Sequence, residues 1–417
     1  MQGSMSKRLG IGIVGAGFNG TFHIKSFLSI RHADVLGVCS RTRDKAEKAA
    51  AVARDLGVGE AKAYGSITEM VQAPGIDAVW VCSPNHVRIE VIEEIVQSGK
   101  GKLLGIACEK PLARNVAEAL KVVELAKGFN TGYLENQVYA PMVERGKDIL
   151  WRRGARAVGR PYLARAAEEH GGPHEPWFWR GKDGGGGVLN DMMCHSIEAA
   201  RFLLTDPAKP RSSLTPRTVN ADIATLKWSR PEYAKKLKAM MGVDYLKKPS
   251  EDFARATVSW EDESGNPLIT EVTTSWSFVG PGARLSLEVM GPEYYLQGTS
   301  LNNHLNVFFS REVSGKTGED IVEKQTAEQG LMPVVTDEPG EYGYTGENRH
   351  MVDCFLAKRK PTETFEDGLE VTRLLMACYL SAERGERLSW PVKGLDTYVP
   401  PVAREEYTAR DVFKGKK

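Results

Sequence analysis

Residues 9–139 alternate short apolar runs with amphipathic stretches of helical period. Leu9–Val14 reads as the first strand, residues 19–30 as the first helix, 34–39 as the second strand and 43–56 as an alanine-rich helix. Residues 78–82 and 103–108 repeat the strand signature, each followed by a helical stretch, over 88–97 and 116–128. Alternation of this kind is what a parallel sheet with crossover helices requires, so this half is expected to be an α/β, doubly wound sheet.

After Pro141 the pattern changes. Residues 142–153 look helical, 161–168 extended, and glycines 184–187 precede an apolar helical stretch over Val188–Leu204. Strand-like runs then dominate, at 254–260, 268–278, 285–290 and 305–309, separated by turn signals at 263–267 and 280–282. This predicts an antiparallel sheet carrying a few helices. The Pro- and Lys-rich residues 205–250 read as an insertion or a long excursion, residues 346–357 and 368–384 return to helical period, and the Pro-rich 399–401 is expected along the surface. The division expected is an N-terminal domain over 5–140 and an α+β domain over 141–417.

Composition narrows the partners. The 55 basic and 54 acidic residues nearly cancel, so no strong field would draw the chain to nucleic acid or an anionic membrane, and a small molecule is the expected partner. No run approaches the roughly 18 apolar residues of a membrane span. The first eight residues lack the apolar core of a secretory signal, which makes the cytoplasm the expected compartment. Met5 is the expected natural start, after a leader over Met1 to Ser4. Cysteines 39, 82, 108, 194, 354 and 378 form no CxxC pair, and buried thiols are expected rather than disulfides or zinc ligands.

Gly15-Ala16-Gly17-Phe18-Asn19-Gly20 falls where the first strand ends and the first helix begins. There, glycines permit a tight turn and let backbone amides approach a pyrophosphate at the helix N-terminus, so a dinucleotide site is expected at Gly15, Gly17, Phe18, Asn19 and Gly20. The second strand ends in Ser40-Arg41 and not in the acidic residue that binds the ribose of NAD. A hydroxyl beside a guanidinium suits the 2′-phosphate of NADP, while Arg41 could equally stack on adenine, which leaves the cofactor as NAD or NADP.

Two more strand ends bring polar groups to the same ligand edge. Ser83-Pro84-Asn85-His86 offers contacts to the nicotinamide ribose, or simply caps the next helix. Cys108-Glu109-Lys110-Pro111 places a charged pair there, where Lys110 could donate a proton or hydrogen bond to a reacting hydroxyl and Glu109 tune its charge; a structural salt bridge is the plain alternative. In the second half, Asp191 and His195 stand at i and i+4 on one helix face. They suit acid/base work or a satisfied core histidine, and no third ligand at metal-site spacing accompanies them. Residues 168–180 crowd ionisable and aromatic groups into a turn-rich segment, either a packed loop or a sugar-binding surface with His170, His174, Trp179 and Arg180 as the contacts.

Together, the glycine turn, Ser83-Pro84-Asn85, Glu109-Lys110-Pro111-Leu112-Ala113, Tyr139-Ala140-Pro141, Gly187-Val188-Leu189-Asn190-Asp191 and His195 resemble the glucose-fructose oxidoreductase, inositol dehydrogenase and rhizopine catabolism family, Gfo/Idh/MocA. The resemblance implies a Rossmann domain followed by an α+β domain with a large, open, mainly antiparallel sheet used for homodimer or homotetramer assembly. It implies that Lys110 orients substrate and relays protons, that Asp191 assists, and that His195 is the acid/base at the carbon exchanging hydride on a sugar or cyclitol. Arg88 departs from the histidine often found there in the family. An alternative within the same resemblance is a redox-neutral, NAD-dependent glycoside hydrolase acting through transient C3 oxidation and elimination. A non-catalytic dinucleotide-binding protein would be marked by loss of Lys110 or His195, and both are present.

Overall fold

Leu9–Val14 forms β1, buried along its whole length because LGIGIV has no polar side chain to hold at a surface. It is followed by α1 (Phe18–Ser26), β2 (Ala33–Cys39), α2 (Arg43–Asp55), β3 (Lys62–Tyr64), α3 (Ile67–Gln72) and β4 (Ala78–Val81). Then come α4 (Arg88–Gly99), β5 (Gly105–Glu109), α5 (Val116–Leu125) and β6 (Thr131–Leu134). In α2, Ala46, Ala49, Ala50 and Ala53 are buried, one face at helical spacing, which is what the alanine-rich pattern dictates. The strands pair in parallel in the order β3-β2-β1-β4-β5-β6, a doubly wound sheet. The edge strands β3 and β6 are only three and four residues long and carry no strand pattern of their own.

This computed structural model describes residues 7–302, 305–309, 322–325 and 330–408, and the chain divides into two units. The first holds residues 1–113, 117–140 and, returning from far along the chain, 342–370. The returning segment differs from the expected division, which keeps everything after 140 in the second domain. Its physical basis is burial: Phe355 and Met351 fill the space left by Gly105 of β5 and Gly132 of β6, and Phe355 meets Trp80 of β4 edge-on at 5.8 Å.

The second unit holds residues 114–116, 141–341 and 371–417. It opens with α6 (Pro141–Ile149), a π-helical turn over Leu150–Ala155 and α7 (Arg156–Val158), followed by β7 (Leu163–Glu169), α8 (Gly181–Gly184) and α9 (Val188–Leu204). Next come β8 (Thr215–Ala224), α10 (Pro231–Met241), β9 (Phe253–Glu261), β10 (Pro267–Ser275), β11 (Arg284–Gly291), β12 (Tyr294–Thr299), β13 (Asn306–Phe309) and β14 (Gly330–Pro333). The remaining elements are α11 (Glu338–Glu341), then α12 (Tyr344–Leu356) of the first unit, α13 (Phe365–Arg384), which passes from one unit to the other, and β15 (Leu388–Ser389).

Seven strands form a mixed sheet in the order β12-β11-β7-β10-β9-β8-β15, antiparallel except for β7 beside β10. Two expectations are corrected here. Residues 205–250 are not wholly an insertion, because β8 lies within them, paired with β9 along its length. Its buried Val219, Ala221 and Ile223 alternate as a strand should, and Pro216 sits at a register shift, where a proline is tolerated. The run 305–309 does form a strand, but β13 pairs with β14 in a separate two-stranded sheet. α9 packs against β7 and β10 and is buried at every position except Phe202. Among the described residues no helix is long and apolar enough to cross a membrane.

Candidate active site

The glycine turn occupies the end of β1 and the start of α1, each glycine for its own reason. Gly15 has φ +109°, and a Cβ there would meet Cys82 O at 2.6 Å. A Cβ on Gly20 would lie 2.0 Å from Gly15 O, whereas one on Gly17 would meet nothing within 4 Å. Gly15 and Gly20 therefore serve the turn and the helix packing, while Gly17, at the N-cap of α1, leaves open space at the positive end of the helix. That division of roles fits a dinucleotide pyrophosphate. Phe18 beside it is 37% exposed, and Asn19 is half-buried. Ser40 is half-buried and Arg41 exposed beyond the end of β2.

Beyond β4, Ser83 and Asn85 are buried, and Asn85–Val87 forms a 3-10 turn that includes His86. Arg88 ties this loop to the next strand end. Buried at the start of α4, it donates Nη2 to Ser83 O at 2.9 Å and Nη1 to Pro111 O. A planar guanidinium can serve two carbonyls at once, which accounts for arginine at this position.

Glu109 ends β5 with its carboxylate buried. Oε1 accepts from His23 Nε2 of α1 at 2.8 Å, and Oε2 accepts the Lys110 backbone N–H at 3.0 Å. Burial opposes ionisation of Glu109, but the hydrogen bond from His23, helped by the charges of Lys110 and Arg88, outweighs it and holds the carboxyl below its usual range. Glu109 thus grips the main chain of Lys110 as well as carrying a charge beside it. The Lys110–Pro111 bond is cis. α12 brings Asn348 against His23 and Trp80, and Glu347 beside Glu109. Glu347 is fully buried, with neither carboxyl oxygen hydrogen-bonded among the described residues. Burial first, then the charges of Glu109, Glu135 and Glu363, push it well above the usual carboxylate range.

In the second unit, Asp191 and His195 lie one turn apart on α9, both buried, and His195 Nε2 is 3.7 Å from Glu168 Oε2 on β7. The helix N-terminus is fully capped. Glu251 Oε1 accepts the N–H groups of Gly187 at 2.9 Å and Leu189 at 3.0 Å, Glu251 O accepts that of Val188 at 3.0 Å, and the Tyr379 hydroxyl accepts that of Asn190 at 3.2 Å. This explains the last two glycines of 184–187. A Cβ on Gly187 would strike Glu251 O at 2.4 Å, and one on Gly186 would strike the Tyr379 hydroxyl at 2.0 Å.

The aromatic segment is divided. His170 is buried, and its Nδ1 accepts from the Gly172 N–H at 2.9 Å. Trp179 is 2% exposed among Trp228, Tyr245 and Trp276, with its indole N–H donated to Pro173 O at 3.1 Å. Its place is in the core, inside this aromatic cluster. Together with His174, Met240 and Lys324 it lines a cavity of about 140 Å³, below the roughly 300–1,000 Å³ of ligand pockets. Burial, then the charge of Lys324, lower His174 to about 4. Arg180 is exposed, 3.6 Å from Asp183.

His23, Arg88, Glu168, Glu251, Asn348 and Tyr379 went unnoticed as supports of the site in the sequence. His23 alone carried a signal, an imidazole on the inner face of the helix that the glycine turn begins.

The family model described as the oxidoreductase family with an NAD-binding Rossmann fold matches residues 9–133, and the GFO/IDH/MocA C-terminal domain model matches residues 154–297. The chain belongs to the Gfo/Idh/MocA oxidoreductase family. It is similar to a myo-inositol 2-dehydrogenase of Thermotoga maritima, 27% identical over 46% of this chain and 54% of the relative. It is also similar to a 1,5-anhydro-D-fructose reductase of Ensifer adhaerens, 31% identical over 40% of this chain and 49% of the relative. The chain thus spans about half the length of these curated relatives. The fold matches GenD2 from gentamicin A biosynthesis in complex with NAD, with a TM-score of 0.74 and 23% identity over 93% of this chain and 98% of that one. It also matches levoglucosan dehydrogenase in complex with NADH and levoglucosan, with a TM-score of 0.69 and 21% identity over 92% of this chain and 100% of that one.

Proposed function

We propose that the protein transfers hydride between a nicotinamide dinucleotide and a secondary hydroxyl of a sugar, cyclitol or related polyol. The observation that carries this reading is the main-chain anchoring of Lys110 by Glu109 at the carboxyl end of β5, in the same sheet whose β1 ends in the open glycine turn. Nicotinamide supplies the hydride acceptor or donor. Lys110 orients the hydroxyl by hydrogen bonding, and His195 takes its proton, with Asp191 assisting. Glu168, 3.7 Å from the imidazole, favours the positive charge that His195 then carries.

We infer NAD over NADP, since the family description names NAD and the two solved structures of similar fold hold NAD or NADH. Arg41 is the group that a 2′-phosphate would use. Copies of the chain are proposed to pair through the polar face of the seven-stranded sheet, where Arg165 bridges Glu271 and Glu288, to give a homodimer or homotetramer. The proposed compartment is the cytoplasm, in keeping with six free thiols.

Purified protein with NAD or NADP and a panel of inositols, anhydrosugars and hexoses should change the absorbance of the reduced nucleotide. A bound nucleotide that never turns over would sink the reading. NAD-dependent aglycone release without accumulation of NADH would replace it with the redox-neutral hydrolase. Nucleotide released on denaturation identifies the cofactor, and light scattering tests the assembly.

A further inference from the structure

A chain of hydrogen bonds behind Lys110 has a direction that its chemistry fixes. The Trp80 indole N–H can only donate, and it lies 2.7 Å from Asn348 Oδ1. That orients the Asn348 amide, whose Nδ2 hydrogens then point to Ser26 Oγ at 2.6 Å and His23 Nδ1 at 2.9 Å. Ser26 is free to accept because its own hydroxyl donates to His23 O at 2.6 Å. Asn348 Oδ1 is also 3.1 Å from His23 Nδ1, but a proton on Nδ1 would face the nearer amide nitrogen. Nδ1 is therefore the bare acceptor, and the ring proton sits on Nε2, 2.8 Å from Glu109 Oε1. The other oxygen of Glu109 holds the Lys110 peptide N–H.

We propose that His23, held by Asn348 as the neutral Nε2–H tautomer, is a positioning residue for Lys110, acting through the Glu109 carboxylate. The inference rests on the reading of Lys110 as a participant in hydride transfer. All of the groups belong to one unit, and none of them needs to touch the substrate. A glutamine at position 23 can still present an N–H toward Glu109, whereas leucine of similar size cannot.

The test combines three measurements on the full-length protein. In the ¹⁵N-histidine spectrum, the signal that disappears in His23→Gln should report Nε2 protonated and Nδ1 not; a proton on Nδ1, in the other tautomer or in an imidazolium, overturns the assignment. Hydrogen exchange of the peptide spanning 105–112 should be faster in His23→Leu than in wild type and restored in His23→Gln. With a substrate in hand, His23→Leu should lower kcat by about 10²-fold with KM for the nucleotide little changed, and His23→Gln should recover most of it. If His23→Leu does not fold, Asn348→Ala removes the same tautomer constraint and should speed the same exchange. Wild-type protein that turns over no substrate would fail the functional reading. An active wild type matched by His23→Leu in rate and exchange would fail this inference alone.

Discussion

The Tyr379 hydroxyl donates to Glu251 Oε1 at 2.5 Å, and these two side chains close the N-terminus of the helix that carries Asp191 and His195. Residues 128 positions apart thus satisfy amides that nothing within the helix can. Tyr379→Phe removes the donor to Glu251 and the acceptor of the Asn190 N–H. The expected loss is about 1–3 kcal/mol of stability, read from urea unfolding. An unchanged midpoint and slope would show that the hydroxyl contributes nothing to the cap.

Glu251 also predicts a pH dependence. Burial raises its carboxyl from 4.5 to about 7, although the Tyr379 and backbone hydrogen bonds pull the other way. A raised carboxyl binds its proton more tightly in the folded chain, so the stabilisation it gives is complete below pH 4.5 and is lost as pH rises through 7. The loss amounts to about 3 kcal/mol. Glu251→Gln cannot ionise, so stability of the variant relative to wild type should climb across that window. Parallel stability curves from pH 4 to 8 would refute it.

Gly17 and Gly20 should behave oppositely. A Cβ on Gly17 meets nothing, so Gly17→Ala is expected to change stability by less than about 0.5 kcal/mol while weakening nucleotide binding. On Gly20 the Cβ collides with the Gly15 carbonyl, and Gly20→Ala should cost about 1–3 kcal/mol or more. Titration calorimetry and thermal unfolding separate the two effects. Undiminished binding by Gly17→Ala would remove that glycine from the cofactor site.

Arg88→Lys is not conservative here. A lysine ammonium lacks the fork that reaches both Ser83 O and Pro111 O, and loss of one charge-assisted bond is expected to cost about 1.5–3 kcal/mol. Nucleotide affinity should fall with it, since both loops lie at the ligand edge of the sheet. Equal thermal stability of variant and wild type would count against this role.

His195→Ala is expected to lower kcat by about 10²–10⁴-fold with nucleotide binding intact, as removal of a general base does. Fluorescence titration of NADH checks the binding half, and steady-state rates on the best substrate check the other. A variant within threefold of the wild-type rate would reassign the proton acceptor.

The sequence by itself determined what has a local period or a local shape. β1, α2 and α9 follow from a continuous apolar run, alanine spacing and apolar content, and the glycine turn, Glu109-Lys110 and the Asp191–His195 spacing could be placed at strand or helix ends because each is contained in a few residues. β8 was equally periodic, but its Pro216 and Lys-rich surroundings concealed it. Only the tertiary structure decided that residues 342–370 rejoin the first unit, that Asn348 meets His23 across 325 residues, and that Glu251 and Tyr379 cap α9. The reason is physical. A hydrogen bond between distant residues requires a donor facing an acceptor, and neither partner leaves a periodic trace in the chain. Chemistry-bearing side chains were visible as residue types, while the groups that fix their protonation and aim arrived only with the fold.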